Sequence, residues 1–178
     1  MSITTETTIP TGTWTLDPVH SKAGFAVKYS GVATFRGHFS QVEAQLRDGT
    51  LTGAVDVASV EVPVAQLKGH LQSPDFFDAE AHPQIVFAAS DLAVDGERLT
   101  VSGELTIRGT TRALEATGTF AGPYTGLTGT DAVALSLETT INRHDFGVSW
   151  NADLPTGGKA LADDVTLTVD LVLVRAEA

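Results

Sequence analysis

The sequence predicts an all-β fold, an extended antiparallel β-barrel of about eight or nine strands with a short helix near one end. Apolar and polar residues alternate with a period of two over long segments, which is typical of strands with one buried face. Turn residues separate these segments at intervals that suit hairpins. Several segments run to about ten residues, longer than the usual strand of about 5–6. Long strands joined by short loops favour an elongated barrel over a compact sandwich.

The alternation defines each strand in turn. It is clearest near the C-terminus, where every second residue of the segment 165–173 is apolar. The strands predicted in this way include 23–29, 42–46, 51–57, 99–108, 133–141 and 165–173. Turns are predicted where glycine pairs with a turn-forming neighbour: Asp48-Gly49, Asp95-Gly96, 109–111 and Gly122-Pro123.

Two segments interrupt the alternation. In residues 63–80, apolar side chains recur at near-helical spacing at Val64, Leu67 and Leu71. Pro63 suits the first turn of a helix and Pro74 ends it. We therefore expect a short helix across one end of the barrel. The second segment, 150–159, is predicted to be a loop that carries one of the two tryptophans.

Length and composition indicate one folded domain over residues 13–176, preceded by a flexible N-terminal tail over residues 1–12. The formal net charge of -11 argues against a nucleic-acid partner, because phosphates would be repelled. Any phosphate-bearing ligand would need a local cluster of Arg or Lys. No segment has the length of a membrane span, and residues 1–13 do not resemble a signal peptide, so we expect a cytoplasmic protein without stable membrane insertion.

An eight-stranded barrel is either filled by its own side chains or holds one small ligand. Alternation alone does not separate these two states. Many residues predicted to face inward are small, which favours a hollow interior, although glycine in a strand also marks bends and bulges. The small inward residues are Ala23, Gly53, Ala89, Gly103 and Gly118.

Catalytic and metal-binding patterns are absent from the sequence. It contains no cysteine, which excludes disulfides, thiolate catalysis and cysteine-ligated metals. Its five histidines lack the close spacing of a zinc site, and we expect no metal. Ser21 and His20 point to opposite faces if they lie on a strand. Asp75 and Asp78 flank two phenylalanines, and Asp75 is interpreted as a turn cap after Pro74 rather than as a glycosidase carboxylate.

Six short motifs occur in an order and spacing that resemble the YceI-like family of polyisoprenoid-binding, lipocalin-like proteins. The resemblance spans residues 14–174. The motifs are Trp14-Thr15-Leu16-Asp17 followed by His20-Ser21 and Phe25; Gly37-His38-Phe39; residues 70–78 (HLQSPDFFD); residues 82–87 (HPQIVF); residues 103–111 (GELTIRGTT); and residues 141–147 (INRHDFG).

Three positions depart from the family pattern. Gln72 stands where the family usually has Arg, His82 replaces a tyrosine, and Ala89 replaces a serine. If the usual Arg neutralises an anionic head group, Gln72 favours a neutral head such as a quinone or an amide, because glutamine donates hydrogen bonds without charge. Substitutes for the missing cation are Arg36, Arg108 and Arg143.

The resemblance implies an extended eight-stranded lipocalin-like barrel over residues 13–176, and a homodimer. It also implies an apolar tunnel that binds a long isoprenoid chain, either a polyprenyl lipid or an isoprenoid quinone. We expect a carrier, store or sequestering protein rather than an enzyme. Arg143 and His20 are candidates for polar contacts with the head group, and Arg143 is equally a candidate for a structural role. The expected tunnel and rim residues are Phe25, Val27, Phe76, Phe77, Phe87, Leu105 and Phe146.

Two alternatives stay open at this point. One is an enzyme that acts on a hydrophobic substrate inside the same barrel, with His20, His70 or Asp75 as its reactive groups. The other is a filled barrel that serves as an interaction scaffold and has no continuous cavity.

Overall fold

A computed structural model of the protein describes residues 8–176. In this range the chain forms eleven strands, one α-helix and two short 3-10 turns. The strands are β1 Thr13–Leu16, β2 Lys22–Tyr29, β3 Ala33–Phe39, β4 Val42–Arg47, β5 Thr50–Asp56, β6 Val60–Glu61, β7 Gln84–Asp95, β8 Arg98–Ile107, β9 Thr110–Thr125, β10 Asp131–Asn142 and β11 Leu161–Arg175. The helix, α1, spans Ala65–Gln72, and the 3-10 turns span Val57–Ser59 and Arg143–Phe146.

Eight of these strands close into a ring, in the order β1, β4, β5, β7, β8, β9, β10 and β11. Closure comes from β1, which pairs with both β4 and β11. All pairings are antiparallel, and β2, β3 and β6 extend the sheet from β11 at one end of the barrel. The predicted eight-stranded antiparallel barrel is confirmed.

The strand segments outnumber the prediction because two barrel strands are interrupted. β1 and β2 follow one another along β11, with Leu16 opposite Leu173 and Lys22 opposite Asp170. β3 and β4 are likewise separated only by residues 40–41. β1 and β2 together, and β3 and β4 together, each occupy the position of one long barrel strand.

The predicted turn at Gly122-Pro123 is wrong. Both residues lie inside β9, which continues to Thr125. The register between β9 and β10 shifts between Ala132 and Ala134, directly opposite this point. A bulge already breaks the ladder of hydrogen bonds, so a proline without an N–H is accommodated there.

The helix predicted within residues 63–80 is present as α1. It begins after Val64, and it ends at Gln72, two residues before Pro74. Leu71 is the buried residue of the helix, and Leu67 packs against the same apolar cluster. The three-to-four-residue spacing therefore places α1 with one face on the barrel end.

Gly69 is exposed in the middle of α1, and a β-carbon added there would meet no atom of the described residues within 4 Å beyond its chain neighbours and its own helix backbone. We expect Gly69→Ala to raise the free energy of unfolding by roughly 0.5–1 kcal/mol, because alanine loses less backbone entropy in a helix. Gly49→Ala is the control. It also meets open space but has a φ of +86°, so it should destabilise. Urea unfolding of both variants checks the pair, and equal shifts would contradict the expectation.

The barrel interior has a packed half and a hollow half. At the end where β1 begins and β11 ends, which also holds the β4–β5, β7–β8 and β9–β10 hairpins, side chains fill the interior. The cluster there includes Trp14, Leu46, Leu99, Phe120, Val133 and Leu173, and Ile9 packs against it. The predicted tail over residues 1–12 falls partly outside the described range, which begins at residue 8. A second cluster, at the α1 end, surrounds a cavity.

The small inward residues divide between these halves. Ala23 and Gly53 line the cavity. Ala89 belongs to the packed cluster, and Gly103 and Gly118 lie where strands approach closely. A β-carbon on Gly118 would overlap the carbonyl oxygen of Ser136 in the next strand. For these three residues, smallness reflects packing, so their use as signs of a hollow interior is wrong.

Candidate functional site

The cavity at the α1 end has a volume of about 470 Å³. That size falls within the range of about 300–1,000 Å³ typical of small-molecule sites. Inward residues of the strands form its sides, α1 and the segments 76–77 and 146–152 close it, and nearly all of its surface is hydrocarbon. Tyr29, Leu67, His70 and Trp150 also line it and are partly exposed, so the cavity meets solvent at this end.

Eight of the nine residues predicted for the site line this cavity. Phe25 and Val27 come from β2, Phe87 from β7 and Leu105 from β8. The alternation of side chains along each strand brings these positions to one interior surface. The remaining lining residues from the prediction are Phe76, Phe77, Phe146 and Arg143.

Four phenylalanines form one aromatic wall. The ring of Phe25 lies 5.9 Å from Phe39, 6.3 Å from Phe35 and 6.3 Å from Phe77 between centroids. Tilted and edge-on arrangements at these distances are favourable for aromatic rings. Gly37 permits the arrangement, because a β-carbon there would collide with the Phe25 ring. Phe35 and Phe39 were not predicted for the site, although their alternation with outward Arg36 and His38 could have placed them.

A second aromatic cluster joins α1 to the loop after β10. The imidazole of His70 packs edge-on against Phe76 and Trp150, with centroids 4.9 Å and 4.8 Å apart. His70 Nε2 lies 3.0 Å from a carboxylate oxygen of Asp75. Trp150 was missed at the sequence level because its loop carries no periodicity, and His70 was considered only as a reactive group. Their shared clue is an aromatic side chain in a segment that breaks the strand pattern.

Arg143 is 4% exposed and ties the loop after β10 to the barrel. Its Nε donates to the carbonyl of Ala162 at 2.9 Å, and its Nη1 donates to those of Val148 and Trp150 at 2.8 Å. Burial lowers the pKa of this guanidinium, and the charge of Asp163 opposes that shift. The three bonds fix the backbone on either side of the residues that close the cavity, which supports the structural role.

His20 lies outside the cavity. Its side chain is 66% exposed, and its Nδ1 is 2.8 Å from Asp17, whose pKa is lowered chiefly by this hydrogen bond. His144 pairs with Asp163 in the same way on the surface, 2.7 Å apart. Within residues 8–176 no three His, Asp or Glu side chains are grouped so that they could hold a metal ion. The structure thus separates His20 from the other predicted site residues.

Comparison with known proteins identifies the family. A family model described as the YceI-like domain matches residues 14–173. The chain belongs to the YceI-like family. Two UPF0312 proteins illustrate the relationship. One from Staphylococcus aureus is 30% identical over 163 residues, which cover 85% of this chain and 91% of the relative. One from Staphylococcus epidermidis is 29% identical over 161 residues, covering 84% and 90%.

Solved structures share the fold of this YceI-like chain. BcnA from Burkholderia cenocepacia gives a TM-score of 0.75 at 24% identity, covering 88% of this chain and 98% of that one. The YCEI protein of Campylobacter jejuni gives 0.71 at 25% identity, covering 84% and 90%. A polyisoprenoid binding domain from Saccharophagus degradans gives 0.74 at 14% identity, covering 92% and 98%. The likenesses to BcnA and to the Saccharophagus degradans domain, both under 25% identity, concern the fold alone.

The three departures from the YceI-like pattern lie away from the cavity surface. Gln72 donates a 3.4 Å hydrogen bond to the carbonyl of Ala58 and is not part of the cavity wall. The His82 ring packs over Gly109, where an added β-carbon would lie 2.8 Å from it. Ala89 belongs to the packed half of the barrel. Gln72 therefore gives no contact that would define the head group of a ligand inside the cavity.

None of the helices in the described part of the chain is long and apolar enough to cross a membrane.

Proposed function

We propose that this YceI-like protein binds a long-chain isoprenoid lipid, of the polyprenyl or isoprenoid quinone type, and acts as its carrier, store or sequestering partner. The observation that carries the proposal is the 470 Å³ cavity with an almost entirely hydrocarbon surface. Such a surface has too few polar groups to orient a sugar, a nucleotide or a peptide. It suits a branched hydrocarbon chain. The homodimer and the cytoplasmic location implied at the sequence level stay predictions.

The energetics favour a ligand with an apolar chain. Each methylene transferred from water to such a cavity contributes about 0.8 kcal/mol, so the tail alone can supply useful affinity. Branched isoprene units also fit an irregular wall of phenylalanine, leucine and valine side chains. The same fold in the polyisoprenoid binding domain of Saccharophagus degradans is compatible with this proposal.

Gly53 offers a way to fill the cavity. It lies on the inward face of β5, and, apart from its two chain neighbours, the one described heavy atom within 4 Å of a β-carbon added there is the Glu43 carbonyl oxygen, at 3.4 Å. We expect Gly53→Leu to weaken the binding of geranylgeraniol by about tenfold or more, because the leucine occupies the volume of the chain. The free energy of unfolding of Gly53→Leu should stay close to that of the wild type, since the new carbons enter open space.

Gly69→Leu is the matched control for this experiment, because it adds the same four carbons on the exposed side of α1. Titration of both variants with geranylgeraniol, followed by calorimetry, measures the effect. Wild-type affinity in Gly53→Leu would contradict a ligand site in this cavity.

The direct test is organic extraction of the protein purified from its own host, followed by mass spectrometry. We expect a prenyl lipid in the extract. Protein that carries no lipid and also fails to take up added prenyl chains would overturn the proposal.

An enzyme acting on a hydrophobic substrate is the second candidate, because the hydrogen-bonded pair of His70 and Asp75 lies beside the cavity. This candidate predicts that the bound lipid is chemically changed and that the Asp75→Asn variant no longer changes it. Recovery of the added lipid unaltered after prolonged incubation would exclude this reading for that lipid.

A further inference from the structure

His70 introduces a polar group into the hydrocarbon wall. It lines the cavity and lies between two aromatic rings, those of Phe76 and Trp150, which hold its imidazole edge-on. Its side chain is 32% exposed, and that of its partner Asp75 is 56% exposed. The imidazole therefore lies where the cavity meets solvent, which is where the head of a ligand would rest if its tail filled the interior.

The contact with Asp75 fixes the hydrogen-bonding character of the ring. An ionised carboxylate only accepts hydrogen bonds, so the 3.0 Å contact requires the proton of the neutral imidazole on Nε2. Nδ1 is then left with a lone pair and no proton. Within residues 8–176 it has no hydrogen-bond partner, and it is not among the buried unpartnered atoms, so it keeps accessible surface. Nδ1 is thus an open acceptor.

Arg143 does not offer a competing contact. Its Nη2 is the one side-chain nitrogen or oxygen of the described residues that is buried without a partner. Because this nitrogen has no solvent-accessible surface, a ligand oxygen cannot contact it unless the surrounding side chains rearrange. The hydroxyl of Thr139, also at the cavity, donates to the carbonyl of Glu115 at 2.8 Å. The Tyr29 hydroxyl can both donate and accept, so it does not discriminate between head groups.

We propose that His70 selects a head group that donates a hydrogen bond, such as the hydroxyl of a prenyl alcohol or prenyl-substituted phenol, over an ether or carbonyl head on the same chain. This inference rests on the proposed binding of isoprenoid lipids. A hydroxyl can donate to Nδ1, whereas an ether or carbonyl oxygen would oppose one lone pair with another. Asp75 is a positioning residue in this arrangement, since it acts through the tautomer of His70.

The test compares two ligands that differ by one proton donor, geranylgeraniol and its methyl ether. For the wild-type protein we expect the alcohol to bind about 3- to 10-fold more tightly, as one neutral hydrogen bond would give. In His70→Phe, which keeps an aromatic ring beside Phe76 and Trp150, the ratio of the two affinities should fall to about 1. Asp75→Asn should lower the ratio part of the way.

His144→Phe is the matched control, because His144 is also paired with a carboxylate but lies outside the cavity, and it should keep the wild-type ratio. Equal affinities of the wild type for alcohol and ether would overturn the inference while leaving isoprenoid binding intact. So would a ratio that survives in His70→Phe. If neither ligand binds to the wild type, the proposed function itself fails. The wild-type comparison needs no variant, so it holds even if His70→Phe does not fold.

Discussion

Arg143→Met should lower the free energy of unfolding by about 3 kcal/mol or more and should loosen the loop that carries Trp150. Three carbonyls accept hydrogen bonds from this one guanidinium, those of Val148, Trp150 and Ala162. Hydrogen bonds to charged groups contribute about 1.5–3 kcal/mol each, and a buried carbonyl left without a donor costs about 1–3 kcal/mol. Even after relaxation of the loop, the summed loss is large for a single substitution.

Denaturant unfolding of Arg143→Met beside Arg112→Met measures this effect. Arg112 is exposed, and within residues 8–176 its one hydrogen bond goes to the carbonyl of the adjacent Thr111, at 3.4 Å, so its loss should change stability by less than about 0.5 kcal/mol. Arg143→Lys keeps the charge but cannot span three carbonyls, and we expect it to recover only a small part of the stability. Similar unfolding midpoints for the two methionine variants would disprove the assigned role of Arg143.

Gly118→Ala should be equally damaging, although it adds a single carbon. The new atom would overlap the carbonyl oxygen of Ser136 and approach the Cα of Leu137, both of which are backbone of β10. Backbone in the middle of a long antiparallel pair cannot rotate away as a side chain can. We expect a loss of about 3 kcal/mol or more, because β9 and β10 must separate locally.

Gly53→Ala provides the comparison, since it is also an inward strand glycine but meets only the Glu43 carbonyl, at an ordinary 3.4 Å. It should be neutral or slightly stabilising. Thermal unfolding of the two alanine variants resolves the difference. A Gly118→Ala variant as stable as Gly53→Ala would show that the strands do not approach as closely as described.

The barrel was predictable because its information is local. A period of two in segments such as 165–173 decides which side chains face inward, and hairpin glycines such as Gly49 decide where the chain reverses. The inward positions of Phe25, Val27 and Leu105 in the cavity followed from the same alternation. The turn predicted at Gly122-Pro123 was wrong because glycine and proline are common both in turns and in bulges. Only the register between β9 and β10 distinguishes the two cases.

The division of the barrel into a packed half and a hollow half could not be predicted from the sequence. Gly53 and Gly118 both occupy inward strand positions, yet one borders a cavity and the other touches a neighbouring strand. The difference lies in the distance between strands, which depends on the tilt and stagger of the whole barrel. His70 and Trp150 meet across segments about 80 residues apart, at a distance set by how α1 and the loop after β10 fold over the barrel end.

The boundary between the packed and hollow halves gives the cavity a floor. Ala116, Leu137 and Leu171 belong to the packed cluster and also line the cavity. If the protein binds an isoprenoid lipid as proposed, a tail that enters from the α1 end would stop against these three side chains. The distance from them to His70 would then set the preferred tail length, because shorter tails would leave volume unfilled and longer tails would have to fold back or push their heads into water. The proposed site would thus select tail length at its inner end and head group at its opening.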